Sequence, residues 1–213
     1  MGIIDRMVDI VKSEIGYAVD QAKGDVKRVI SGEPAGSSAE HGSPAAGITK
    51  SEKFTFFAIP TSVEDLKLLP EATLDTLYKT AALCMAALCN YELDSEATYA
   101  MLDVLKGPEP LTVAQKQSIK QELAGKYYKP FSFFEGATPS NEYRPSTPYT
   151  ISIGETAHSY SEENRATLYV VSSGADKKRA IKLRKKPSTG QWFVIDIQCL
   201  ADIREPAGDD PWA

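Results

Sequence analysis

Residues 166–199 read ATLYVVSSGADKKRAIKLRKKPSTGQWFVIDIQC, and this stretch decides the fold. Apolar and polar side chains alternate along Ala166–Ser172, Arg179–Lys185 and Gln191–Cys199, the period of half-buried strands. Between them lie Ser173-Gly174-Ala175-Asp176 and Pro187-Ser188-Thr189-Gly190, which have turn chemistry. Three strands joined by short turns predict an antiparallel meander. Trp192 opens the last strand, where its ring is expected to cover the end of the layer beneath the sheet. A fourth strand pattern, Tyr149–Ile153, precedes the three.

Further toward the N-terminus the period becomes helical. Ser62 and Asp65 stand at capping-box spacing and predict a short helix. Glu71–Tyr91 predicts a long one, whose stretch Ala81–Leu88 is apolar nearly all round and is therefore the expected buried centre. A third helix runs from Ser95 to Lys106 and stops at Gly107-Pro108; a fourth starts at Thr112, with Gln115 three residues on, and ends by Gly125. A short apolar run, Phe54–Ala58, suits a first strand. Helices segregated from strands make the class α+β: helices, then a meander sheet packed on them, over residues 53–205, with a tail at 206–213.

Residues 31–52 have no large apolar side chain before Ile48, so they bury too little to order themselves and read as a disordered linker. Residues 1–30 read as an amphipathic helix. Ile4, Met7, Val8, Val11, Ile15, Ala18, Ala22, Val26 and Val29 recur at spacings that place them in an arc of about 100°. Arg6, Asp9, Ser13, Asp20 and Lys27 lie opposite. Such a stripe needs cover, from the chain's own domain, from a partner helix in self-association, or from a membrane interface. All three remain open on the pattern alone.

With 213 residues the chain is long enough to bury a sizeable core. Its net charge of −5 argues against a general nucleic-acid binder. Cys84, Cys89 and Cys199 lie in apolar runs without C-x-x-C spacing and read as reduced core thiols. Asp5 and Arg6 interrupt the apolar run that an export signal needs, and Ala81–Cys89 falls short of the roughly 20 residues that span a bilayer. The expected location is cytoplasmic, peripheral at the inner face of the membrane if the helix meets lipid. Arg6 also stands where N-myristoylation of Gly2 needs Ser or Thr.

Outside the linker only His158 offers an imidazole for proton transfer, and it stands in the polar loop Glu155–Tyr160. No zinc, phosphate-loop or dinucleotide motif occurs, so no cofactor and no metal is expected, and the reading leans away from an enzyme. What stands out is a basic cluster, Lys177, Lys178, Arg179, Lys182, Arg184, Lys185 and Lys186, on one hairpin of an acidic chain. Alternation turns Ile181 and Leu183 to the core and Lys182 and Arg184 to water. One reading is an edge strand guarded by lysines. The other is an anionic-surface patch of Lys178, Lys182, Arg184 and Lys186, each basic residue contributing about 1 kcal/mol near lipid headgroups.

Met1-Gly2-Ile3, Arg6, Asp9-Ile10-Val11, Ile15, Ala22, Lys27 and Val29 resemble, in register, the first helix of the phage-shock protein A and plastid vesicle-inducing protein family. That resemblance implies a membrane-sensing helix and a link to bacterial envelope stress; the family's long coiled-coil hairpin has no counterpart here. Lys185–Ile195 resembles the closing hairpin of nuclear-transport-factor-2-like cone folds. The span from Ile59 to Ala213 resembles an uncharacterised domain family of gut-dwelling Gram-positive bacteria. Together these lead to an expected non-enzymatic adaptor, meeting a membrane surface or partner helix through residues 3–30 and a protein partner through the domain. The alternative is a small-ligand-binding or enzymatic cone-like domain whose helix oligomerises.

Overall fold

A computed structural model describes residues 45–208; the helix expected over residues 1–30 lies outside them. Five strands, β1 (Lys50–Phe56), β2 (Tyr149–Glu155), β3 (Arg165–Val170), β4 (Arg179–Lys185) and β5 (Trp192–Ile197), pair antiparallel in sequence order. This is the meander that residues 166–199 predict, extended by two strands on one side. With the helices gathered between β1 and β2, the fold is α+β.

Local chemistry sets the helices. Helix α1 (Val63–Leu68) starts where the Ser62 hydroxyl accepts the Asp65 N–H at 3.1 Å. The reciprocal leg lands one residue early, with the Thr61 N–H and hydroxyl both donating to the Asp65 carboxylate. The long helix expected over Glu71–Tyr91 is shorter: a 3₁₀ turn, Pro70–Thr73, ends at Leu74 with φ 54°, and α2 is Leu77–Leu88. Thr76 causes the restart, its side chain accepting the Lys79 N–H and so capping a new helix. Helix α3 (Ser95–Lys106) runs from the Asp94 cap to Gly107, as expected, and α4 (Val113–Leu123) begins with a reciprocal capping box between Thr112 and Gln115. The aromatic stretch Tyr127–Phe134 contributes a one-turn helix, α5 (Tyr128–Phe131), with no counterpart in the sequence reading.

Helix α2 touches all five strands, and Ala81–Leu88 are each 0% exposed. The apolar run is therefore the centre of the domain. Phe131, Phe134 and Tyr149 close the core beside it, with ring centroids 6.2–6.5 Å apart.

Two expectations change. β1 begins at Lys50 and ends at Phe56, leaving Phe57 78% exposed; the sheet takes in Lys50, Ser51 and Glu52, which read as linker. Ala45–Thr49 also lie on the sheet. The Thr49 N–H donates to the Glu155 carbonyl at 2.8 Å, and Ile48 sits so close to Gly154 that a Cβ there would stand 2.9 Å from it. Second, β4 is hydrogen-bonded on both sides, so the lysine-guarded edge does not exist; the edges are β1 and β5. Trp192 is half-buried where β5 begins. Its main chain ties β5 to α2 and to the turn before it, the carbonyl accepting from the Thr80 hydroxyl and the N–H donating to the Leu74 carbonyl.

Candidate functional site: a basic cleft between helix α3 and the last hairpin

Lys106 closes α3 in register with Tyr99 and Leu102, at i, i+3 and i+7, so it continues the buried stripe and is only 6% exposed. The next residue, Gly107, has φ +63°, and a Cβ there would meet the Phe193 ring at 2.4 Å. Only glycine lets the helix end lie this flush against β5. In β5 the pairing skips Ile195, since Lys182 opposes Asp196 and Leu183 opposes Val194. The bulge leaves Ile195 outside the ladder, and its carbonyl accepts from Lys106 Nζ at 3.4 Å.

A cleft of about 230 Å³ opens here. Lys106, Pro108 and Glu109 line the helix side; Arg184, Lys185, Lys186 and Pro187 line the β4–β5 turn; Phe193 and Ile195 complete the wall. Four cations share the cleft with one carboxylate. That carboxylate, Glu109, stands 3.7 Å from Arg184 with both side chains exposed, a geometry that contributes little.

The patch expected from the sequence comes apart. Arg184 and Lys186 enter the cleft, whereas Lys182 pairs with Asp196 at 3.8 Å on the sheet face. Lys178 lies before β4 and Lys186 after it, about 26 Å apart along the strand. There Lys178 Nζ bonds the Ala46 carbonyl and sits 5.2 Å from the Tyr169 ring centre. Lys106 was missed; its register with the apolar stripe of α3 was the available signal. The nine stripe residues from Ile4 to Val29 lie outside the described residues.

A second polar cluster stands at the end of β2. Glu155 Oε2 accepts from Tyr78 and Tyr160 hydroxyls, each at 2.5 Å, while Lys50 lies over the Tyr78 ring. Burial raises the Glu155 pKa, but the two tyrosine hydrogen bonds and the Lys50 charge outweigh it and hold the carboxyl below its ordinary value. Burial and the Glu155 hydrogen bond push Tyr160 up to about 12. Both hydroxyls already have their acceptor, so the cluster works as a clamp between α2 and the β2–β3 loop.

The family described as a domain of unknown function (DUF6935) matches residues 58–207 of the 213. The chain belongs to the DUF6935 family. In this DUF6935 domain the match begins just after β1 and takes in every helix among the described residues, the other four strands and the whole cleft. No curated protein and no solved structure matches the chain, so the likeness of its last hairpin to cone folds rests on Lys185–Ile195 alone.

The DUF6935 domain's cysteines are free and buried; burial pushes the Cys84 thiol up to about 12, against the opposing charge of Lys106. His158 is exposed in its loop. Among the described residues no group of His, Cys, Asp and Glu has metal-binding geometry, and no helix is long and apolar enough to cross a membrane.

Proposed function

We propose that this DUF6935 protein is a non-enzymatic adaptor that docks on an anionic surface, residues 3–30 supplying an apolar stripe and the cleft supplying charge. The observation that carries the reading is the convergence of Lys106, Arg184, Lys185 and Lys186 on one cleft in a chain whose net charge is −5. A local cation cluster on an acidic protein attracts negative charge at one place and repels it elsewhere. Near anionic lipid each such residue contributes about 1 kcal/mol, which adds to a weakly inserted helix. The tie to envelope stress comes from the resemblance of residues 1–30 alone.

Co-sedimentation of the full chain with phosphatidylcholine vesicles, with and without phosphatidylglycerol, tests this. Binding is expected to fall about tenfold or more in Val11→Asp, which places a charge in the stripe, and in Arg184→Glu/Lys186→Glu. A concave site rather than a flat patch favours a second reading, a small-ligand domain with an oligomerising helix. If no vesicle is bound while Val11→Asp breaks a dimer seen by light scattering, that second reading replaces the first.

A further inference from the structure

Lys106 is a buried ammonium with donors to spare. It carries three, and the described residues offer it one carbonyl at 3.4 Å, a long contact, and no carboxylate within ion-pair distance. The domain's other buried lysine, Lys129, shows the satisfied case: it is 7% exposed and holds Glu122 at 2.6 Å. A buried cation without its counter-charge is costly, and at Lys106 the open side is a cleft with further cations.

We infer that the cleft binds a compact phosphomonoester, with Lys106 at its base, Arg184 and Lys186 at its rim and Phe193 against the organic part. This rests on the reading of the cleft as a receptor for negative charge and goes further by naming one small ligand. Four cations against one carboxylate suit a dianion better than a singly charged carboxylate. The planar fork of Arg184 matches two phosphate oxygens, and Lys106 adds a point charge. The Glu109–Arg184 contact is exposed and long, so phosphate readily takes the place of Glu109. At about 230 Å³ the cleft is smaller than the roughly 300–1,000 Å³ of sites for drug-sized ligands. It encloses a phosphate on a short carbon chain, whereas most of a nucleotide would lie outside it.

Calorimetric titration of the full chain with glycerol 3-phosphate at constant ionic strength is the test. Saturable binding is expected, about tenfold or more weaker in Lys106→Met and in Arg184→Gln, and unchanged in Lys182→Gln, whose side chain pairs outside the cleft. Arg184 is exposed, so Arg184→Gln keeps the fold even where Lys106→Met does not, and circular dichroism checks both. Vesicles of phosphatidic acid, whose headgroup is a phosphomonoester, are compared with phosphatidylserine vesicles of equal charge. A preference for phosphatidic acid that glycerol 3-phosphate competes away assigns the ligand to lipid; glycerol 3-phosphate binding without that preference assigns it to a soluble metabolite. Absence of saturable binding, or equal affinity in wild type and both cleft variants, overturns the inference. Anionic vesicles bound without headgroup preference, together with no glycerol 3-phosphate binding, overturn it while leaving the anionic-surface reading in place.

Discussion

Gly107 sets how closely α3 approaches β5, because its positive φ and its contact with the Phe193 ring both exclude a side chain. Gly107→Ala is expected to lose about 2–4 kcal/mol in urea denaturation, from backbone strain plus overpacking, whereas Gly190→Ala meets nothing within 4 Å and should lose only the strain part. Equal losses at the two positions would remove the Phe193 contact from the argument. Glu155 is the residue with a pH consequence. Its folded pKa lies below the unfolded value of 4.5, so the stability it contributes is complete above that pH and is lost as pH falls through the lower folded value. Glu155→Gln should cost about 1 kcal/mol at pH 7 and flatten the acid limb of the urea midpoint below about pH 4.5. Parallel acid limbs in the two proteins would assign the loss to other carboxylates. Lys106 was hard to recognise for a physical reason: a lysine in a last helical turn ordinarily faces solvent and favours the helix dipole. Its burial depends on β5, which lies far along the chain.

Boundaries of elements follow local chemistry closely where a side chain caps the backbone. The Thr112–Gln115 pair was legible as a helix start and forms both reciprocal hydrogen bonds, so Thr112→Ala should cost about 1 kcal/mol, read from the thermal midpoint. No change would mean that tertiary contacts alone hold the start of α4. Where two signals compete, the pattern misleads. Glu71–Tyr91 has continuous helical periodicity, yet Thr76 caps a new helix and Leu74 turns left-handed before it. Strand positions were legible from period two, and β4 was placed correctly. Its neighbours β3 and β5 followed from the short turns of the meander, not from its own pattern, because alternation reports which face is buried and says nothing of which strand lies alongside. Hence a strand that reads as a guarded edge is paired on both sides.

At the scale of the molecule, the described residues form part of one compact unit that runs from Pro44 to the C-terminus. A fragment starting at Pro44 is expected to keep the thermal transition of the full chain, while one starting at Lys50 loses the packing of Ile48 on Gly154, worth about 1 kcal/mol. A Pro44 fragment much less stable than the whole would show that residues 1–43 help to form the core. The sequence by itself determined the class α+β, the meander, the buried centre at Ala81–Leu88 and three of the helix starts. These follow from periodicity and capping, which act within a few residues. Only the tertiary structure decided that Arg184 and Lys186 share a cleft with Lys106 while Lys178 and Lys182 do not. Such a convergence depends on how the end of α3 meets a bulge in β5, a contact between residues about ninety apart that no local pattern encodes.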